Sequence, residues 1–232
     1  MSSSFDKPLC FIPACGGSKR LPRKNVALLG GKPLLAWTIE AAPFDAIWVS
    51  SEDEEILKTA QEWGGKPLSR PVELASDRVT VVQLCLHVIR DFAAKGQDYS
   101  ALYVMLPTCP FRRTETIKRA WNTFLESEVD ALLGVIPLEH LPQWAKTKID
   151  GWLRPLYPTE FESVHQALTP AYRHDGGHEI ANISKFLEME AFLGPRTSTF
   201  PVSIEEAVDI NEPLDLAWVE FLLQQGVVGR KV

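Results

Sequence analysis

Four positive charges, Lys19, Arg20, Arg23 and Lys24, fall within six residues just after the adjacent glycines Gly16 and Gly17. Paired glycines let the backbone bend so that successive N–H groups point into one concavity, a nest that binds anions. The run Ala14-Cys15-Gly16-Gly17-Ser18, followed by Lys24-Asn25, therefore suits a polyphosphate, with a solvated basic loop as the alternative. It is neither a Walker loop, which needs Gly-Lys-Ser/Thr after GxxxxG, nor the GxGxxG dinucleotide fingerprint. That argues against an ATPase or a dehydrogenase.

A second cluster, Tyr172-Arg173-His174-Asp175-Gly176-Gly177-His178-Glu179, invites a zinc reading. An HExxH motif would need histidine at position 182, which is Asn182, and the double glycine opposes a helix aligning ligands four residues apart. The four cysteines, Cys10, Cys15, Cys85 and Cys109, form no CxxC pair and read as reduced thiols of a cytoplasmic protein. The acidic balance, 24 Lys+Arg against 30 Asp+Glu, argues against a sequence-independent nucleic-acid binder. There is no apolar run of the roughly 18 residues that a membrane span needs.

The elements that must position these groups alternate. Leu9 to Pro13, Ala46 to Ser50, Ala101 to Leu106 and Ala131 to Ile136 read as buried strands. Between them Pro33 to Ala42, Glu52 to Gly64, Val79 to Ala94 and Thr114 to Glu126 read as helices, the last with a Thr114 cap. This rhythm predicts a three-layer α/β/α, Rossmann-like domain with a mostly parallel sheet and a ligand site at the C-terminal ends of its strands. The rhythm breaks from about 137 to 172, a stretch rich in Pro, Trp and His that reads as an inserted arm of the single 1–232 domain, suited to a dimer contact. It returns with a strand at Glu179 to Ile183, a helix at Ser184 to Phe192, a strand near Thr199 to Val202 and a closing helix from Pro213 to Gln225. Trp37, Trp48, Trp63, Trp121 and Trp218 are expected in packing positions, and Trp144 and Trp152 at a subunit contact.

The stretch Ile12 to Asn25 resembles the opening signature of the acylneuraminate cytidylyltransferases, roughly I-P-A-R-G-G-S-K-R-x-x-x-K-N. The likeness continues through Gly31-Lys32-Pro33-Leu34, Val49 to Ile56, Arg70 to Asp77, Leu106 to Arg112 and Val208-Asp209-Ile210-Asn211, in family order over nearly the whole chain. The pseudaminic acid branch is the nearest in flavour. The resemblance implies a nucleotidyltransferase that joins CMP from CTP to an acidic nine-carbon 2-keto sugar with Mg²⁺, as a homodimer. It implies catalytic roles for Lys24 and Asp209. Ala14, Cys15, Gly16, Gly17, Ser18, Lys24, Asn25, Arg70, Ser76 and Asp77 would hold the nucleotide. Thr108, Arg112, Lys148 or Lys146, Gln166, and Arg173 or His174 would hold the sugar, and Asp209 and Asn211 the metal. The Tyr172 to Glu179 stretch would be a loop lining the sugar pocket, and Asp77 or Arg70 could instead serve as a helix cap or a surface ion pair.

The chain departs from the family at several places, among them His165-Gln166, where the family often has an Arg-rich R-x-Q. Cys15 stands for an arginine, and a neutral thiol cannot fork onto a phosphate as a guanidinium does. Leu106 replaces a glutamine and Cys109 a serine. At the metal, Asn211 replaces the second of two aspartates, which removes one negative charge and predicts weaker Mg²⁺ affinity. Asn211 could alternatively cap the helix at Pro213. These departures keep open a weakened homologue that binds nucleotide or sugar without transfer, alongside a 3-deoxy-octulosonate-activating relative.

Overall fold

The computed structural model describes residues 7–76, 78–158 and 168–228. The apolar run Leu-Cys-Phe-Ile-Pro forms strand β1 (Leu9–Pro13), whose first four residues are buried, as a central parallel strand requires. It pairs in parallel with β4 (Ile47–Ser51) on one side and β6 (Ala101–Val104) on the other. Past β4 lies β5 (Lys66–Ser69); past β6 lie β10 (Tyr172–Asn182), β7 (Ala131–Pro137) and β11 (Thr197–Pro201). Of the described strands in this seven-stranded sheet, β10 alone runs antiparallel to its neighbours. The sheet is mostly parallel, as expected.

Helices cover both faces. On one, α1 (Leu34–Ala41), α2 (Glu54–Glu62) and α4 (Thr114–Glu126) bury Leu35, Ile39, Ile56, Ala60, Ile117 and Trp121 against the sheet. On the other, α3 (Val81–Ala94) and α5 (Ile183–Met189) bury Leu84, Val88, Ile89, Phe92 and Phe186. A smaller cluster joins α6 (Pro213–Gln224) to the hairpin of β2 (Leu28–Leu29) and β3 (Lys32–Pro33) through Val219, Leu29 and Ile210. That hairpin turns on Gly30-Gly31 with φ of 59° and 76°, the left-handed pair a two-residue type I′ turn demands.

Several local expectations change. β5 carries Pro67, which hides a strand from sequence patterning but is tolerated at a sheet edge, where β5 lies. Thr114 is not the cap of α4: Arg113 holds that position and the Thr114 hydroxyl donates to Ala41 O at 2.9 Å. Helix α3 is capped by Thr80 in a capping box with Gln83; Asp77 lies outside the described residues. Trp218 is 55% exposed and stacks on Phe221 instead of packing inward. In the arm, Pro137 pairs with Tyr172 at the base, and β8 (Lys146–Ile149) and β9 (Trp152–Pro155) form a hairpin. Residues 159–167 of the arm, with the expected Gln166 and its neighbour His165, also lie outside the described residues.

Phe11 is fully buried at the centre of the sheet. Phe11→Ala should lower the free energy of urea unfolding by about 3–5 kcal/mol through lost transfer energy and a residual cavity. Leu193→Ala, at an exposed position, should stay within about 0.5 kcal/mol.

Candidate active site

Because the other strands of the sheet run parallel, the loops after β1, β4 and β6 emerge at one edge. The strand order reverses at β1, with β4 and β5 following on one side and β6 on the other. A crevice at such a switch point is where open α/β sheets bind ligands. Its walls are the loop from Ala14 to the 3-10 turn Lys24–Val26, the turn at Leu106–Cys109, and the Asp209–Asn211 segment before α6.

The β1 loop is strapped to the β4–α2 junction by carboxylates. Gly16 N donates to Glu52 Oε1 at 2.6 Å, and Glu52 Oε2 accepts from Arg70 Nη2 at 2.8 Å and Nε at 3.1 Å. The third Arg70 nitrogen, Nη1, donates to Ser50 O at 3.2 Å, and the residue is only 5% exposed. Asp53 caps α2 through Glu55 N and Ile56 N and receives Arg23 Nη1 at 2.6 Å. Arg23 also pairs with Glu55 and sits in the left-handed region at φ 59°. Position 16 must be glycine, since a Cβ there would lie 2.6 Å from Asp53 Oδ2. Buried Asn25 donates to Cys15 O at 2.8 Å and so holds the loop to itself.

The opposite wall meets two more of the cations. Arg20 Nη2 and Lys24 Nζ both donate to Asn211 Oδ1, at 3.1 Å and 3.4 Å, and Asn211 Nδ2 donates to Asp209 Oδ2 at 2.6 Å. The segment is set by Ile210 N donating to Thr108 O at 2.9 Å, and by Asp215, which accepts from Asn211 N and Glu212 N at 2.8 Å each. Glu212 and Asp215 therefore cap α6, and the Asn211 side chain turns to the site, against the cap alternative. Burial lowers the Lys24 pKa, with Asp209 opposing and Arg20 adding to the shift. Burial also pushes the Cys109 thiol up to about 11, so it stays neutral.

The structure thus divides the sequence-expected residues. Lys24, Asp209, Asn211, Thr108 and Cys15 gather around one crevice, with Gly17 opening into free space and Ser18 half-exposed beside it. Arg70 is turned inward in a buried pair with Glu52, which corrects the surface-pair alternative, and the Gly16 amide already serves Glu52. Arg112 is also inward: 4% exposed, with Nη2 on Leu106 O and Nη1 reaching Thr38 Oγ1 at 3.5 Å. Ala14 is buried, its N–H on Ser50 O at 2.9 Å. Ser76 is exposed after the 3-10 turn Val72–Ala75, and Lys148 is exposed on β8. Tyr172 to Glu179 is strand, not loop; exposed Arg173 donates to His174 O at 3.1 Å. His174 pairs with Glu179 while His178 is buried, and no group of three His, Cys, Asp or Glu among the described residues is placed to hold a metal. Sequence reasoning missed Glu52 and Asp53. Their place just after a parallel strand is the signal that marks them.

An anion at this crevice needs Lys24 charged, and burial makes that charge easier to lose. Pyrophosphate affinity, measured by calorimetry, should fall with rising pH from below the ordinary lysine value of 10.5. Lys24→Gln should bind roughly tenfold more weakly near neutral pH and show no such alkaline decline.

Residues 9–152 match the family described as cytidylyltransferase. The chain is 32% identical over 224 residues to a CMP-N,N'-diacetyllegionaminic acid synthase of Legionella pneumophila, covering 93% of this chain and 96% of that one. It is 31% identical to a pseudaminic acid cytidylyltransferase of Campylobacter jejuni, with the same coverage. Among solved structures it superposes on a CMP:2-keto-3-deoxy-manno-octonic acid synthetase complexed with CTP at a TM-score of 0.68 and 16% identity, covering 95% of this chain and all of that one. The two cations converging at the sheet's switch point and the match over most of the sequence agree: the chain belongs to the cytidylyltransferase family of nucleotidyltransferase enzymes.

Proposed function

We propose that the protein transfers CMP from CTP to an acidic nine-carbon 2-keto sugar of the sialic, pseudaminic or legionaminic type. The anomeric hydroxyl oxygen forms a bond to the α-phosphorus, the bond from that phosphorus to the bridging oxygen breaks, pyrophosphate leaves, and the hydroxyl proton passes to solvent. The observation that carries this reading is the convergence of Arg20 and Lys24 on a neutral amide oxygen, Asn211 Oδ1. Triphosphate oxygens can displace that weak acceptor, and fixed cations there stabilise charge developing on the leaving group. Exposed Arg173, whose Nη1 and Nη2 rest on His174 O and Ala207 O, would have to turn from these carbonyls to fork onto the sugar carboxylate, and Lys148 offers a point charge from the arm.

The family implies Mg²⁺, and one exposed carboxylate suits an ion that is commonly held by one or two carboxylates plus substrate phosphates. Asp209 would hold it, with Asn211 contributing oxygen only if its amide turns away from Arg20 and Lys24. The ion would supply charge neutralisation at the phosphates.

The arm supports a homodimer. Its hairpin exposes Ile149, Trp152 and Leu153, and apolar clusters of that kind mark interaction surfaces. Four free cysteines support a reducing compartment, the cytoplasm.

Pyrophosphate release tests the reaction. It should require CTP together with one acidic sugar, and be faster than with ATP, GTP or UTP. Binding of CTP without release in the presence of any acidic sugar would favour the non-transferring homologue. Asn211→Asp should lower the Mg²⁺ concentration for half-maximal rate by about tenfold, equivalent to ~1.4 kcal/mol; an unchanged midpoint would remove the metal from this position.

A further inference from the structure

Asp175 and His178 are each 1% exposed, and none of the roles above uses them. The register of β10 against β7 shifts between His174 and Glu179, and Asp175–His178 form the irregular stretch, with Gly176 at φ 72°. Inside it the Asp175 carboxylate turns into the protein. Its Oδ2 lies 2.5 Å from His178 Nδ1, and its Oδ1 accepts from His178 N at 3.2 Å. Two glycines clear the space: a Cβ on Gly134 of β7 would lie 2.6 Å from Asp175 Cγ, and one on Gly177 would lie 2.7 Å from Arg112 Nε. Burial alone would raise the Asp175 pKa. His178 and Arg112 outweigh it and hold the carboxyl below its ordinary value.

A buried ion cluster of this kind rarely stabilises a protein more than a well-packed apolar one would, so its use lies in what it holds in place. Here it holds both ends of one turn. Asp175 O accepts from Cys109 Sγ at 3.2 Å, Gly176 O accepts from Leu106 N at 3.3 Å, and Arg112 Nη2 donates to Leu106 O. The same turn presents Thr108 O to Ile210 N at 2.9 Å, and Cys109 Sγ sits 4.0 Å from Asp209 Oδ1.

We propose that Asp175 is a positioning residue for the transfer reaction: bonded to His178, with the Arg112 guanidinium near enough to act on its charge, it fixes the Leu106–Cys109 turn, and the turn fixes Asp209 and Asn211 opposite Lys24. The proposal rests on the reaction assigned above. The cations that grip the triphosphate stand on the other wall, so a loosened clamp should slow turnover without weakening CTP binding.

Three variants test it at a temperature where circular dichroism shows native protein. Asp175→Ala and His178→Leu should each lower kcat by about tenfold or more, since misplacement of a few tenths of an ångström to 1 Å has that effect. Their CTP dissociation constants from calorimetry should stay within about twofold of wild type. His178→Gln, which can still donate to Asp175, should recover kcat to within about threefold. Alkylation of Cys109 by iodoacetamide, read by peptide mass spectrometry, should speed up in the first two variants and not in the third. Unchanged kcat in folded Asp175→Ala, equal losses in His178→Leu and His178→Gln, or a CTP affinity that falls in step with kcat would each overturn the proposal. If Asp175→Ala does not fold, the two His178 variants decide alone. If wild-type protein releases no pyrophosphate with any acidic sugar, the assigned reaction is at fault and the Cys109 alkylation ratios decide the clamp.

Discussion

The β1 loop concentrates positive charge, and the site depends on how the surrounding carboxylates sort it. Arg23 faces two of them, Asp53 and Glu55, and Arg70 faces Glu52. Lys24 and Arg20 instead meet a carboxamide oxygen, with Asp209 beside it. Two of the loop's positive charges therefore meet at one crevice, where half-buried Lys24 loses part of its hydration. A unit charge pair at 4 Å is worth about 1 kcal/mol in water and about 4 kcal/mol at an effective dielectric near 20, so partial burial decides whether this pair of cations grips an anion or merely decorates the surface.

Asn211 sharpens that arrangement. An aspartate there would tie both cations into ion pairs and, on the proposed reading, add a ligand for the metal; a carboxamide leaves the cations weakly held and would leave that metal one carboxylate. The same substitution thus weakens one half of the site and frees the other. Cys15 pushes in the same direction as a loss: the guanidinium expected from the family pattern is absent, and a cysteine side chain beside Lys24 has no fork to offer a phosphate in its place. On the proposed reading, Lys24, Arg20 and the amides beyond Gly16 remain to hold the phosphates.

Most of the fold was legible because its signals are local. Leu9–Pro13 and Thr114–Glu126 have the same bounds in sequence and structure, since short apolar runs and helical periodicity depend on neighbours alone. β5 was hidden by an edge proline, and the first half of β10 by a double glycine that looks like a loop and turns out to permit a register shift within a strand, whose second half the expected strand from Glu179 covers. The site was legible in residue type but not in direction. Sequence placed Arg70 and Arg112 in the right region, yet both guanidinium groups point inward, because each has a partner fixed by tertiary contacts: Glu52 for one, Leu106 O for the other. Likewise the Gly16 amide belongs to the anion nest by pattern, and Glu52, 36 residues away, already occupies it.

The charge sorting is tested most directly by titrating CTP calorimetrically into wild type, Arg20→Gln, Lys24→Gln and Arg23→Gln. Wild type should bind, the first two variants should each bind about tenfold or more weakly, and Arg23→Gln, whose charge is already neutralised, should stay within about threefold. An Arg23 variant as impaired as the Lys24 variant, or a wild-type protein that gives no heat with CTP, would contradict it.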